Sequence, residues 1–157
     1  LDVVLDLVRS PVRSVSAVGL PILSRKVDIA NARIEFESGC VANLTASRVS
    51  TEKVRKLRFF QPSQYVSLDY KTQDVVVLSV RPGEGGAPPV LAPQKIETSR
   101  VEPLKAEIES FLKAVKNRTE PEVTAESSKQ ALELAQRVVE QIRAHTASLP
   151  VPMEEKS

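Results

Sequence analysis

Few residues in this 157-residue chain have the type and spacing that chemistry demands. It holds one cysteine, Cys40, and one histidine, His145. One of each builds neither a zinc site nor a Cys/His nucleophilic pair within the chain. The five glycines are Gly19, Gly39, Gly83, Gly85 and Gly86, and they make no G-x-G-x-x-G and no P-loop. A complete enzyme of the common phosphate-cradling kinds is therefore excluded. Arg48, after a run of strand-forming residues, could grip a phosphate or sugar hydroxyl, since a guanidinium suits oxygen pairs. The plainer reading is a solvated strand-end cation, and an isolated arginine favours it. Lys53, Arg55, Lys56 and Arg58 fall on both faces of one predicted strand, so they read as a charged, protected sheet edge. With 22 basic and 20 acidic residues and a net charge of +2, the balance argues against a dedicated nucleic-acid or membrane binder.

These residues must be carried by elements, and residues 26–49 define them best. Ala30, Ala32, Ile34 and Phe36 alternate with Asn31, Arg33, Glu35 and Glu37. Beyond Gly39, Cys40, Ala42, Leu44 and Ala46 alternate with Val41, Asn43, Thr45 and Ser47. Period-two alternation marks two half-buried strands. A three-residue loop, Glu37-Ser38-Gly39, places apolar residues opposite apolar ones: Phe36 with Cys40, Ile34 with Ala42, Ala32 with Leu44. Its last position wants a left-handed backbone, and Gly39 supplies it. Cys40 then sits on the apolar face and reads as a buried, reduced thiol. The other face carries Asn31, Arg33, Asn43, Thr45 and Ser47, which are either solvated or in contact with another sheet.

Leu1, Val4, Leu5 and Val8 predict a helix over 1–9 that Ser10-Pro11 ends. Strands are predicted over 12–18, 53–60, 65–70, 75–80 and 96–101, with Phe59-Phe60 as core. Four prolines and three glycines between Arg81 and Gln94 predict a loop. Two helices close the sequence. Leu104, Ile108, Phe111, Leu112 and Val115 stripe the first. Leu132, Ala135, Val139 and Ile142 stripe the second, which Thr124 can cap and whose last turn His145 suits. Strands in a run followed by helices indicate an α+β fold, an open, mainly antiparallel sheet with helices packed on one face. Residues 148–157 read as a flexible tail.

Four segments resemble motifs of one family. Leu1-Asp2-Val3-Val4-Leu5 is similar to the tail of a His-x-x-Asp helix motif. Asp28-Ile29-Ala30 through Phe36 and Gly39 resembles a D-x-A-x-x-x-x-x-F-x-x-G strand pair. Glu102-Pro103-Leu104, with Glu107 and Phe111, resembles an E-P-L-x-x-E-x-x-x-F helix start. Pro121-Glu122-Val123-Thr124, followed by Ala131-Leu132-Glu133-Leu134-Ala135, resembles the closing helix. Together and in order they resemble the C-terminal domain of the Gfo/Idh/MocA (glucose–fructose oxidoreductase / inositol dehydrogenase) family. Within it, Asn43 to Arg48 is most similar to enzymes that oxidise the 3-hydroxyl of UDP-N-acetylglucosamine.

The resemblance implies an NAD(P)-dependent oxidoreductase acting on a sugar, sugar nucleotide or polyol. Residues 1–147 would be its C-terminal substrate and dimerisation domain, with the N-terminal Rossmann domain absent. Only the motif's Asp2 lies in this chain. The family's catalytic His and Lys fall outside, so no catalytic residue, cofactor site or metal site is expected here, and the chain alone is expected to be inactive. Asp2 and Arg48 are the candidate substrate contacts, Asp2 being otherwise a solvated or capping carboxylate. The resemblance tips Asn31, Arg33, Asn43, Thr45 and Ser47 towards a homo-oligomer interface. A non-catalytic α+β binding or oligomerisation module is the alternative. A start at Leu1, inside an apolar pattern, reads as a piece of something longer. A lone cysteine and the lack of an apolar run of about 18 residues point to the cytoplasm.

Overall fold

The computed structural model describes residues 1–24, 26–83 and 88–149. Three helices and seven strands appear among them: α1 (Asp2–Val8), β1 (Val12–Leu20), β2 (Ile29–Phe36), β3 (Val41–Ser47), β4 (Lys56–Gln61), β5 (Gln64–Asp69), β6 (Asp74–Arg81), β7 (Val90–Ile96), α2 (Pro103–Asn117) and α3 (Ala125–Ala147). The class is α+β as expected, but the strands form two antiparallel sheets, β1-β2-β3 and β4-β5-β6-β7. The chain divides into two compact units. One holds Leu1–Thr51 with the chain from Ala114 onward, and the other holds Glu52–Lys113. Of the tail expected over 148–157, residues 150–157 lie outside the described residues.

In the first unit the β2–β3 hairpin has the expected register, with Ile34 opposite Ala42 and Ala32 opposite Leu44. Phe36 N–H donates to the Cys40 carbonyl at 2.9 Å, and Gly39 N–H to the Phe36 carbonyl at 3.0 Å. Gly39 has φ 85°, the left-handed conformation that this loop's last position requires. The pleat turns Ile34 and Phe36 inward, where they are fully buried with Leu134 of α3. Leu1, Val4, Leu5 and Val8 of α1 pack on the same cluster, so both α1 and α3 cover this face. Ser10-Pro11 ends α1 as read, with Arg9 in a left-handed cap whose N–H donates to the Leu5 carbonyl.

Cys40 is exposed, contrary to expectation. It lies at the hairpin's tip, and the residues that pack on the core from this strand are Ala42 and Leu44, further along. The stripe of α3 is rotated by about one residue. Leu134 and Ile142 are buried with Ala131, Ala135 and Val138 partly so, whereas Leu132 is 60% exposed and Val139 is also exposed. Leu134 is the residue that meets Ile34 and Phe36. Ile142, common to both stripes, seats against β1 at Gly19, where a Cβ would stand 2.6 Å from Ile142 Cγ2 and 2.8 Å from Val27 Cγ1. Thr124 caps α3 as read, in a reciprocal pair with Ser127, whose N–H donates to Thr124 Oγ1 at 3.0 Å.

In the second unit, β4 and β5 join through a two-residue turn at Pro62-Ser63, with Gln61 opposite Gln64. Phe59 and Phe60 are neighbours on one strand, so they point to opposite faces. Phe59 is half-buried. Phe60, expected in the core, is 78% exposed and stacks on Tyr65 with ring centroids 4.9 Å apart. Of the basic cluster, only Lys56 and Arg58 lie on β4, the outer strand of its sheet, and they share one face; Lys53 and Arg55 precede the strand. The strand predicted at 96–101 is displaced. β7 spans Val90–Ile96, beginning within the segment expected as a loop and ending at the first residue of the predicted strand, while 97–102 is irregular. Pro93 is tolerated there because β7 is also an edge strand. The α2 stripe of Leu104, Ile108, Phe111, Leu112 and Val115 is exposed; only Ala114 of this helix is buried.

Candidate functional site

Two features of the first unit gather the residues singled out above. The first is the sheet face turned away from α1 and α3. Its cross-strand rows are Val18–Asn31–Thr45 and Ser16–Arg33–Asn43. Thr45 Oγ1 donates to Asn31 Oδ1 at 2.8 Å. Arg33 donates to Glu35 Oε1 at 3.1 Å through Nε and to Asn43 Oδ1 at 3.4 Å through Nη1. The result is a shallow groove of about 260 Å3, lined by Ser16, Val18, Asn31, Arg33, Asn43 and Thr45 among others. Four of the five predicted interface residues thus line one groove, in two separate hydrogen-bonded groups, Thr45 with Asn31 and Arg33 with Asn43. Ser47 shares their parity, but its hydroxyl is engaged locally, accepting from Val49 N–H at 3.2 Å and Ser50 N–H at 3.1 Å.

The second feature is a knot at one end of the same sheet, centred on Asp28. Its carboxylate is nearly buried, 5% exposed. Oδ2 accepts from the backbone N–H groups of Ile22, Leu23 and Ser24 at 2.9, 2.8 and 2.9 Å. Oδ1 accepts from the Ser24 hydroxyl at 3.0 Å and from Arg48 Nη2 at 2.8 Å. The amide of Ile22, then those of Ser24 and Leu23, hold the carboxyl well below the usual carboxylate range, outweighing the opposing cost of burial. Arg48, a candidate substrate contact, is therefore paired inside the protein. Asp2 stands apart, exposed in the first turn of α1.

The importance of Asp28 was not apparent from its residue type. Its signal in the sequence is its place as the first residue of the D-x-A motif, one position before β2. His145, read as a helix-end residue, lies in the last turn of α3, where Nδ1 is 3.3 Å from the Gly19 carbonyl and must donate to it. In the second unit a hollow of about 520 Å3 is lined by Lys71, Thr72, Gln73, Arg100, Val101 and Glu102. Its neighbouring α2 amides are already satisfied, since the Glu102 carboxylate accepts from Leu104 N–H at 3.2 Å and Lys105 N–H at 2.6 Å. Among the described residues no group of three or more His, Cys, Asp or Glu side chains could hold a metal ion. No described helix is long and apolar enough to cross a membrane.

No family model matches the chain. It is 33% identical over 115 residues to the UDP-N-acetylglucosamine 3-dehydrogenase of Acidithiobacillus ferrooxidans, a stretch that covers 73% of this chain and 37% of that protein. The solved structure of that dehydrogenase superposes with a TM-score of 0.81 at 28% identity, covering 92% of this chain and 45% of the other. Aldose-aldose oxidoreductase from Caulobacter crescentus shares the fold at 20% identity and TM-score 0.69, over 91% of this chain and 42% of that one. The chain spans less than half the length of these relatives. In sequence and in fold it corresponds to the C-terminal-domain-sized part of a Gfo/Idh/MocA-type oxidoreductase.

Proposed function

We propose that the chain is the substrate-wall and subunit-contact part of an NAD(P)-dependent dehydrogenase that oxidises a sugar nucleotide of the UDP-N-acetylglucosamine kind. The match to a UDP-N-acetylglucosamine 3-dehydrogenase over 73% of the chain is the observation that carries this reading. The dinucleotide belongs to the rest of such a protein. Gly19 is packed against Ile142, Gly39 turns a hairpin, and the sequence has no G-x-G-x-x-G and no P-loop, so this chain does not fit the cofactor by itself. The chain's own task is positional. A sugar carbon must be held in a fixed place before hydride leaves it, and orientation of that kind supplies a large share of catalysis. Asp2 and Arg48 are the proposed substrate contacts. The groove lined by Asn31, Arg33, Asn43 and Thr45 is proposed as the face where a second copy docks, Ser47 standing at its margin. A cytoplasmic location belongs to the same reading.

The test is the whole coding sequence. It is expected to encode roughly 120–180 residues ahead of Leu1, one domain's worth, with a glycine-rich strand–helix turn. The whole protein is expected to reduce NAD or NADP when UDP-N-acetylglucosamine is added, followed by nicotinamide absorbance. A coding sequence without that turn, or no reduction with any UDP-sugar, overturns the reading.

A further inference from the structure

Two residues suffice to join antiparallel strands, yet eight lie between Leu20 and Ile29. This longer connection is organised around the Asp28 carboxylate. Three consecutive amides converge on one oxygen, the kind of backbone concavity that holds an anion. The backbone therefore meets much of the Asp28 charge before Arg48 contributes. What the pair adds is a fixed guanidinium. Arg48 Nη2 lies 2.8 Å from Asp28 Oδ1, 2.9 Å from the Val27 carbonyl and 3.4 Å from Ser24 Oγ. An arginine has five N–H donors, and Nη2 accounts for two. The Nε and Nη1 donors meet no acceptor among the described residues, and the side chain is 59% exposed. An unpaired arginine loses rotamer freedom when it binds. This one is already held at one end, and preorganised donors bind oxygen at lower cost.

We propose that Asp28 and Ser24 are positioning residues that aim the Nε and Nη1 donors of Arg48 at an anionic phosphate oxygen of the substrate. The inference rests on the sugar-nucleotide reading above and names the part of the substrate this chain holds. The Arg48 Nε–H signal of the 15N-labelled chain reports on it directly. UDP and UDP-N-acetylglucosamine are each expected to shift that signal, and N-acetylglucosamine, which carries no charge, is expected to leave it in place. Arg48→Lys keeps the charge and loses the fork. It is expected to weaken the UDP response of neighbouring amides on the order of tenfold, the worth of one charge-assisted hydrogen bond. Ser24→Ala, chosen because it leaves the Asp28 carboxylate in place, is expected to broaden the Arg48 signal and weaken UDP in the same direction. Where Asp28→Asn folds, it is expected to give Arg48 the signal of a mobile arginine and to abolish the UDP shift.

Three results overturn the proposal. One is an unmoved Arg48 signal while amides elsewhere respond, which leaves the sugar-nucleotide reading standing. Another is an equal shift with the neutral sugar. The third is silence at ligand concentrations on the order of 10 mM, weaker than any useful subsite; the reading of the whole protein is then judged by its own assay.

Discussion

Asp28 shows how much one side chain can organise. Its carboxylate closes the β1–β2 connection, holds three amides and a hydroxyl, and fixes Arg48. The amides lower its pKa in the folded state relative to the unfolded chain. Its stabilising effect is therefore fully present above the unfolded value near about pH 4, and is lost as pH falls through the folded value. Asp28→Asn removes that dependence. The difference in urea stability between wild type and Asp28→Asn is expected to be constant above about pH 5 and to shrink below about pH 4. A difference that stays constant down to about pH 2 would assign the effect to shape and not to charge. Arg48 was legible as a residue suited to oxygen, but its partner was not. The pairing joins residues twenty positions apart, and only the folded loop brings them within reach.

Helices and strands are unevenly legible in the sequence, and the reason is physical. The β2–β3 hairpin could be solved on paper because alternation, loop length and Gly39 all had to agree. The face of α3 could not. Ala131, Leu134, Ala135, Val138 and Ile142 compete with Leu132, Ala135, Val139 and Ile142 on the helical wheel, and what separates them is a tertiary contact, Leu134 against Ile34 and Phe36 of β2. The consequence is measurable. Leu134→Ala is expected to cost about 2–5 kcal/mol, as truncations in a filled core do. Leu132→Ala is expected to stay within about 0.5 kcal/mol, the range for exposed positions. Chemical denaturation of both variants decides between the two stripes, and comparable losses would count against the observed one. The sequence hides β7 for another reason. Pro82, Pro88, Pro89 and Pro93 suggest a loop in sequence, yet an edge strand tolerates a proline that an inner strand would not.

At the scale of the molecule, the outer face of β1–β3 carries the proposed contact with a second copy. Arg33 is its central charge, half-exposed and tied to Glu35. A surface pair of this kind contributes about 0–1 kcal/mol to folding, so its sign can be reversed without unfolding the chain. Arg33→Glu is expected to abolish concentration-dependent association in light scattering while leaving thermal stability close to wild type. Wild type that stays monomeric at high concentration, or an association that survives the reversal, removes this face from the proposal. The second sheet raises the question of how such a chain avoids uncontrolled assembly. The strand β6 is apolar on successive residues from Val75 to Leu78, a pattern suited to cover on both sides. Its two borders differ from that interior. Pro93 on β7 offers no N–H to an incoming strand, and Lys56 and Arg58 place positive charge along β4. Recruitment of further strands is thus opposed at both edges of the ladder. Strand addition continues without limit once it begins, so these three residues act as guards against a fibre and leave the proposed contact on the first sheet as a way to a countable assembly.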